Sequence, residues 1–335
     1  MVQQNSFTFK LSAAEQTELA RILAMGNYRP VQVPYTQIAV KAEDCTVNLY
    51  TSGKCLVQGK GAEEFVLYVL EPHVLKRAAH GYEDVLDPEA ANPHMGVDES
   101  GKGDFFGPIV IVAAYVDADL IEKMREMNVR DSKRITSDDA ALGLGRELRR
   151  LLGRRYSMVK VGPRAYNRLY AKMRNVNTLL AWAHARAIEN LLEAVPACPR
   201  AISDQFGKKE QVERALMKKG KGIELVQQPR AEADIAVAAA SVIAREMFLR
   251  ALHDLKQKHD LEFPKGASAK VREAARELAR KTGPEILLDT AKCHFKTTDD
   301  VLAELGTDRS VLGPEGQATS KPPVRRKAKA ASPSP

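Results

Sequence analysis

The chain has 335 residues, 44% hydrophobic and 28% charged, a balance that fits a globular protein long enough for two domains. It contains no apolar run of the length a membrane helix needs, and its start, Met-Val-Gln-Gln-Asn-Ser-Phe, lacks the regions of a signal peptide, so we expect a cytoplasmic protein with no membrane partner. Cys45, Cys55, Cys198 and Cys293 form no Cys-x-x-Cys pair and signal neither zinc nor disulfides, while a net charge of +8 favours a polyanionic partner.

The first elements are predicted from "LSAAEQTELARIL", where Ser12 can cap a helix and Glu15 completes a capping box, giving a helix over 13–25. Three strand-like runs follow, "YTQIAVKA", "CTVNLYTSG" and "KCLVQGKG", separated by turn signals, and a second helix begins near Ala62. Residues 1–77 thus read as a small α+β domain with an antiparallel sheet. "AAHGYEDVLDPEAANPH", at 78–94, is rich in Pro, Gly and acids and reads as a linker. From 95 to 312 strand and helix signals alternate: strands near 96–98, 109–116, 156–161 and ending at "AISD", with helices near 118–127, 137–153, 177–194 and 235–258. That order predicts an α/β domain with a mixed sheet. From Gly313 to Pro335 the composition cannot bury a core and predicts a disordered tail, with five unopposed positive charges in its last sixteen residues.

The stretch "GVDESGKGDFFGP", at 96–108, comes close to a phosphate-binding P-loop. Gly103, however, stands where that motif needs Ser or Thr, and Asp98 and Glu99 would put negative charge in the cradle. Phe105-Phe106-Gly107-Pro108 also leads to a strand instead of opening a helix. A carboxylate site for metal explains more of the residues. Adjacent side chains on a strand face opposite ways, so Asp98 and Glu99 would converge where the strand bends, and Gly101 and Gly103 supply a bend. Lys102 can contact a phosphate.

This stretch resembles the signature of the type 2 ribonucleases H, and its Gly-Lys-Gly-Asp-Phe-Phe-Gly-Pro form resembles ribonuclease HIII. The resemblance extends in order through "DSKRIT", "MRNVNTLLAWAHARAIENLL", "ISDQFG", "RAEADIAVAAASVIAR" and "CHFK", and through "LYTSGKCLVQGKGAEE" in the first domain. It implies a ribonuclease H-like catalytic domain preceded by a substrate-binding domain folded like the TATA-binding protein. The implied activity is endonucleolytic cleavage of the RNA strand of an RNA/DNA hybrid duplex, leaving 3′-hydroxyl and 5′-phosphate ends. Two Mg²⁺ or Mn²⁺ ions would assist, since hard cations take oxygen ligands and a pair can stabilise the attacking and leaving oxygens. Cleavage at single ribonucleotides in DNA, as in ribonuclease HII, and a noncatalytic hybrid-binding protein are the alternatives. No obligate protein partner is inferred.

Carried over residue by residue, Asp98, Glu99 and Asp204 match the metal ligands. The fourth catalytic acid falls to Glu232 or Asp234; Glu232 fits the position ahead of the Ala-rich helix, and an N-cap role accounts for Asp234. Gly101, Lys102, Gly103 and Lys133 match positions near the substrate backbone. Ser52, Lys54, Gln58 and Lys60 alternate with apolar residues and are expected on a nucleic-acid-binding sheet face. His184 reads as a core or core-edge histidine from its helical neighbours Leu180, Ala187 and Ile188; His294 is left open.

Overall fold

Ser12 caps its helix in both directions: its hydroxyl accepts from the Glu15 N–H at 3.4 Å, and the Glu15 carboxylate accepts from the Ser12 N–H at 2.7 Å. Two otherwise orphaned N–H groups are thereby paired. The structure, a computed structural model, describes residues 6–26, 28–42, 44–76, 92–127, 129, 137–204, 209–216, 219–228, 231 and 234–320. Contacts divide the chain into two compact units, Met1–Asn92 and Pro93–Pro335.

In the first unit, β1 (Ser6–Lys10), α1 (Ala13–Met25), β2 (Arg29–Pro30), β3 (Thr36–Lys41), β4 (Cys45–Tyr50) and β5 (Lys54–Gly59) precede α2 (Ala62–Phe65), which continues as a π-helical stretch over Val66–Leu75. The sheet is antiparallel in the order β1-β5-β4-β3-β2. Val47, Leu49, Cys55 and Val57 are buried with Leu19 and Leu23 of α1 and with Phe65, Val66 and Leu70. Period-two alternation sends Lys54 and Gln58 to the other side of β5, where both are exposed. β1 and β2 were absent from the sequence expectation; both are edge strands.

The second unit comprises β6 (His94–Ser100), β7 (Ile109–Val116), α3 (Ala118–Glu126), α4 (Asp138–Leu152), β8 (Tyr156–Val161), α5 (Pro163–Met173), α6 (Val176–Ala194), β9 (Arg200–Asp204), α7 (Lys209–Ala215), β10 (Glu224–Gln228), α8 (Ile235–His259), α9 (Ala269–Thr282), α10 (Leu287–Thr290), α11 (Lys296–Glu304) and α12 (Gly313–Gly316). The sheet order is β10-β9-β6-β7-β8, parallel across β10, β9 and β6 and antiparallel across β6, β7 and β8. This is the mixed sheet expected. β7 is apolar throughout because both its faces are covered. Val110, Val112, Ala114 and Val116 join the core containing α4 and α8, whereas Ile109, Ile111 and Ala113 join the core containing α6. At Gly96 of β6 an added Cβ would lie 2.0 Å from the Val237 nitrogen, so only glycine lets α8 come this close to the strand.

Two boundaries differ from those read in the sequence. Residues 313–320 do not belong to the tail: α12 is helical, Ala318 is buried, and Ser320 donates to the His294 carbonyl through both N–H, at 3.2 Å, and hydroxyl, at 3.0 Å. Arg309 holds this segment by donating to the carbonyls of Cys293, Phe295 and Gly316, a long-range anchor that local composition does not reveal. At the expected linker, His94 is already fully buried as the first residue of β6. Linker residues 78–91 and tail residues 321–335 lie outside the described residues.

Candidate active site

Asp98 and Glu99 lie near the end of β6, which continues to Ser100, so the glycine bend comes after both carboxylates. Strand alternation sends them to different helices. Asp98 points to the α8 side, where it hydrogen-bonds the Ser241 side chain, and its Oδ1 accepts from the Glu99 N–H at 2.8 Å. Glu99 points to the α6 side, and its Oε2 lies 3.0 Å from His184 Nε2. The Lys102 ammonium lies 3.6 Å from the other Glu99 oxygen. Burial and the neighbouring Glu99 charge push Asp98 up to about 6. Burial also acts to raise Glu99, but the His184 hydrogen bond and charge, with Lys102, outweigh it and hold that carboxyl below its usual value.

His184 therefore has a second role beyond the one read from its helical spacing. It is a core histidine, 1% exposed, and also the hydrogen-bond partner of Glu99. Ser241, in "AAASVIAR", was not singled out in the sequence. The only local signal for it is a hydroxyl within an Ala-rich helix that must pack tightly.

Asp204 is the last residue of β9. Val97 and Ser203 are register partners in the parallel β6–β9 pair, so the residues that follow them, Asp98 and Asp204, reach the same end of the sheet. Asp234 stands elsewhere. It caps α8, its Oδ1 accepting from the Ala236 and Val237 N–H groups at 2.9 and 3.0 Å, and its Oδ2 lies 2.9 Å from His94 Nε2. His94 is four residues before Asp98, roughly 13 Å back along the strand. Asp234 is thus at the opposite end of β6 from the carboxylates. Glu232 and Lys133 lie outside the described residues.

Gly101 adopts φ +91°, and a Cβ there would stand 2.3 Å from the Pro108 carbonyl oxygen. Glycine is required at that turn. Gly103 is exposed, and a Cβ on it would meet nothing within 4 Å, so packing does not account for that glycine. Among the described residues no three His, Cys, Asp or Glu side chains gather closely enough to hold a metal ion. The donors present nevertheless fit a hard divalent cation: two adjacent carboxylates at a strand end, one with its charge disfavoured by burial and by the other. In the first unit Ser52, Lys54, Gln58 and Lys60 are all exposed. Lys10 on β1 is the register partner of Lys54, which the sequence did not indicate, and its ammonium donates to the Ser52 carbonyl.

A family model described as Ribonuclease HII matches residues 95–298, and one described as Domain of unknown function (DUF3378) matches residues 6–79. Ribonuclease HIII of Chlamydia pneumoniae is 40% identical over 297 residues, which cover 88% of this chain and 97% of the relative. Ribonuclease HIII of Protochlamydia amoebophila is 40% identical over 272 residues, covering 81% and 88%. In three dimensions the chain is similar to the crystal structure of Bst-RNase HIII in complex with Mn²⁺, with a TM-score of 0.62 at 30% identity over 89% of this chain and 98% of that one. Fold and site thus define a ribonuclease H enzyme. Within that class the chain belongs to the ribonuclease HIII family. No helix among the described residues is long and apolar enough to cross a membrane.

Proposed function

We propose that this ribonuclease H hydrolyses the RNA strand of RNA/DNA hybrids, leaving 3′-hydroxyl and 5′-phosphate ends, and that it works in the cytoplasm without an obligate protein partner. The observation that carries the reading is the placement of Asp98 and Glu99 near the end of β6, at the sheet end that Asp204 of β9 also reaches, beside an open glycine loop. Two like charges held together in a partly buried place are stabilised by a cation. Asp98, Glu99 and Asp204 would hold Mg²⁺ or Mn²⁺, with Glu232 as the fourth acid. Divalent cations bound there supply charge stabilisation for the attacking and leaving oxygens of an in-line displacement. Ser241 and His184 each orient one carboxylate from opposite sides of the sheet. Gly103 leaves room for the substrate strand, and Lys102, beside Glu99, would meet its phosphates; Lys133 is proposed for the same role on the family resemblance alone.

The exposed face of β5 and β1 supports a duplex-binding role for the first unit. Lys10 and Lys54 stand directly opposite each other, a like-charge pair that disfavours the bare sheet and that a phosphate would neutralise. A-form-like duplexes offer a wide, shallow minor groove that a face with Ser52, Lys54, Gln58 and Lys60 can read by shape. The deciding experiment compares cleavage of a uniform RNA/DNA hybrid with that of a DNA duplex containing one ribonucleotide, in Mg²⁺ and then Mn²⁺. The hybrid should be cut faster in both metals. Preference for the single ribonucleotide would replace this substrate assignment.

A further inference from the structure

Lys292 lies between α10 and α11 and is fully buried. Its Nζ is 2.7 Å from the Gly107 carbonyl oxygen, 3.1 Å from that of Phe106 and 3.5 Å from that of Pro108. A lysine ammonium has three donors and no acceptor, so three consecutive carbonyls match it one for one. Burial pulls the group down to about 7, partly opposed by the charge of Asp104, whereas an apolar side chain would fill the same space without a desolvation cost. Filling space therefore does not explain a lysine here. The three carbonyls do.

The main chain supports the same grip. The Lys292 N–H donates to the Phe105 carbonyl at 2.8 Å, the Gly107 N–H to the Thr290 carbonyl at 2.9 Å, and Phe106 and Ala291 form an isolated β-bridge. From another side, Gly266 donates to the Asp104 carboxylate at 2.6 Å and accepts from the Phe105 N–H at 2.8 Å. The held turn is also the wall behind the glycine loop. The Pro108 oxygen, one of the three that Lys292 faces, is the atom a Cβ on Gly101 would strike at 2.3 Å. A line of contact thus runs from the buried ammonium through Pro108 to Gly101, and from there to Lys102 and Gly103 beside the carboxylates.

We propose that Lys292 is a positioning residue for the ribonuclease reaction, gathering the carbonyls of Phe106, Gly107 and Pro108 so that Gly101-Lys102-Gly103 is held in place against Asp98 and Glu99. The proposal rests on the reading that this loop meets the substrate strand. It gives a function to Lys292, the residue just before "CHFK", which the carboxylate chemistry leaves unexplained.

The test uses full-length Lys292→Met, which keeps length and loses every donor, and Lys292→Gln, which keeps two donors for three carbonyls. Both are compared with the parent for hybrid cleavage at saturating Mg²⁺, for hybrid binding in Ca²⁺, and for thermal melting. In the Met variant, kcat should fall roughly tenfold or more while KM and binding stay close to the parent's, because a displaced loop spoils alignment and leaves most duplex contacts in place. The Gln variant should lie between the two. A folded Met variant with kcat within about twofold of the parent overturns the proposal, as does a rise in KM with kcat unchanged. Should the Met variant fail to fold, a folded Gln variant with kcat within about twofold overturns it equally. The parent's own turnover on the hybrid, measured alongside, reports on the proposed substrate independently of either variant.

Discussion

His94 and Asp234, 140 residues apart in sequence, meet at 2.9 Å where α8 begins beside the first residue of β6. The Asp234 carboxylate is fully used there, by the imidazole and by two helix N–H groups. Asp234→Ala should therefore lower stability by about 2–3 kcal/mol in urea unfolding, through loss of the cap and of a buried hydrogen bond. Its turnover per folded molecule should stay close to the parent's. Glu232→Gln should do the reverse, with sharply lower turnover and unchanged unfolding. Swapped outcomes would make Asp234 the fourth acid.

Asp98→Asn should abolish cleavage while leaving hybrid binding in place, since the amide keeps the shape and removes the charge that holds a cation. The same change should stabilise the metal-free protein at neutral pH. The Asp98 carboxyl is raised from 3.8 to about 6 in the fold, so between those values the folded state binds more protons than the unfolded one. Stability therefore falls as pH rises through that window and, once above it, stays lower by on the order of 3 kcal/mol. Melting in EDTA at pH 4 and pH 7.5 should show Asp98→Asn gaining on the parent only at the higher pH. An equal difference at both would contradict the assigned shift.

Removing residues 321–335 should leave turnover at saturating substrate unchanged and weaken hybrid binding mainly at low salt. Its five basic side chains attract a polyanion by a force that salt screens. Removing residues from 314 onward is a different experiment, because it also takes away most of α12, buried Ala318 and the Ser320 bonds to His294. That longer deletion should lower the melting temperature where the shorter one does not.

If the first unit is the duplex-binding module, removing residues 1–76 should raise KM for long hybrids far more than it lowers saturated turnover. A tethered second site acts through effective concentration. Replacing Lys10 and Lys54 together by Ala should reproduce part of that rise and flatten the salt dependence of binding by up to about two phosphate contacts. Unchanged KM in the truncated protein, once its folding has been checked, would reject the module.

Legibility followed the range of the interactions involved. The helix at Ser12 and the strand at 109–116 could be read in place because a capping box and an unbroken apolar run are local signals. Asp98, Glu99 and Asp204 stood out through motif order, and β9 does deliver Asp204 to the sheet end that carries Asp98. What escaped is long-range. Ser241 and His184 are assigned to their carboxylates by packing across the sheet, and α12 is held by an arginine that ties its last residue, Gly316, to the segment between α10 and α11. Edge strand β1 shows an alternating Ser-Phe-Thr-Phe-Lys pattern, yet its place beside β5 depends on residues more than forty positions later.

The opposite orientations of Asp98 and Glu99 tie the carboxylate-bearing end of β6 to both cores of the second unit. Asp98 is held by Ser241 on the α8 side and Glu99 by His184 on the α6 side, so the aim of each carboxylate depends on a different core. A void opened beneath α6, for instance at Leu180, would let His184 sink and carry Glu99 with it while Asp98 stayed on Ser241. A void beneath α8 would do the converse, except where Gly96 leaves that helix no slack to take up. Thermal softening of either layer would then be felt first as detuned chemistry, at temperatures where the chain is still folded.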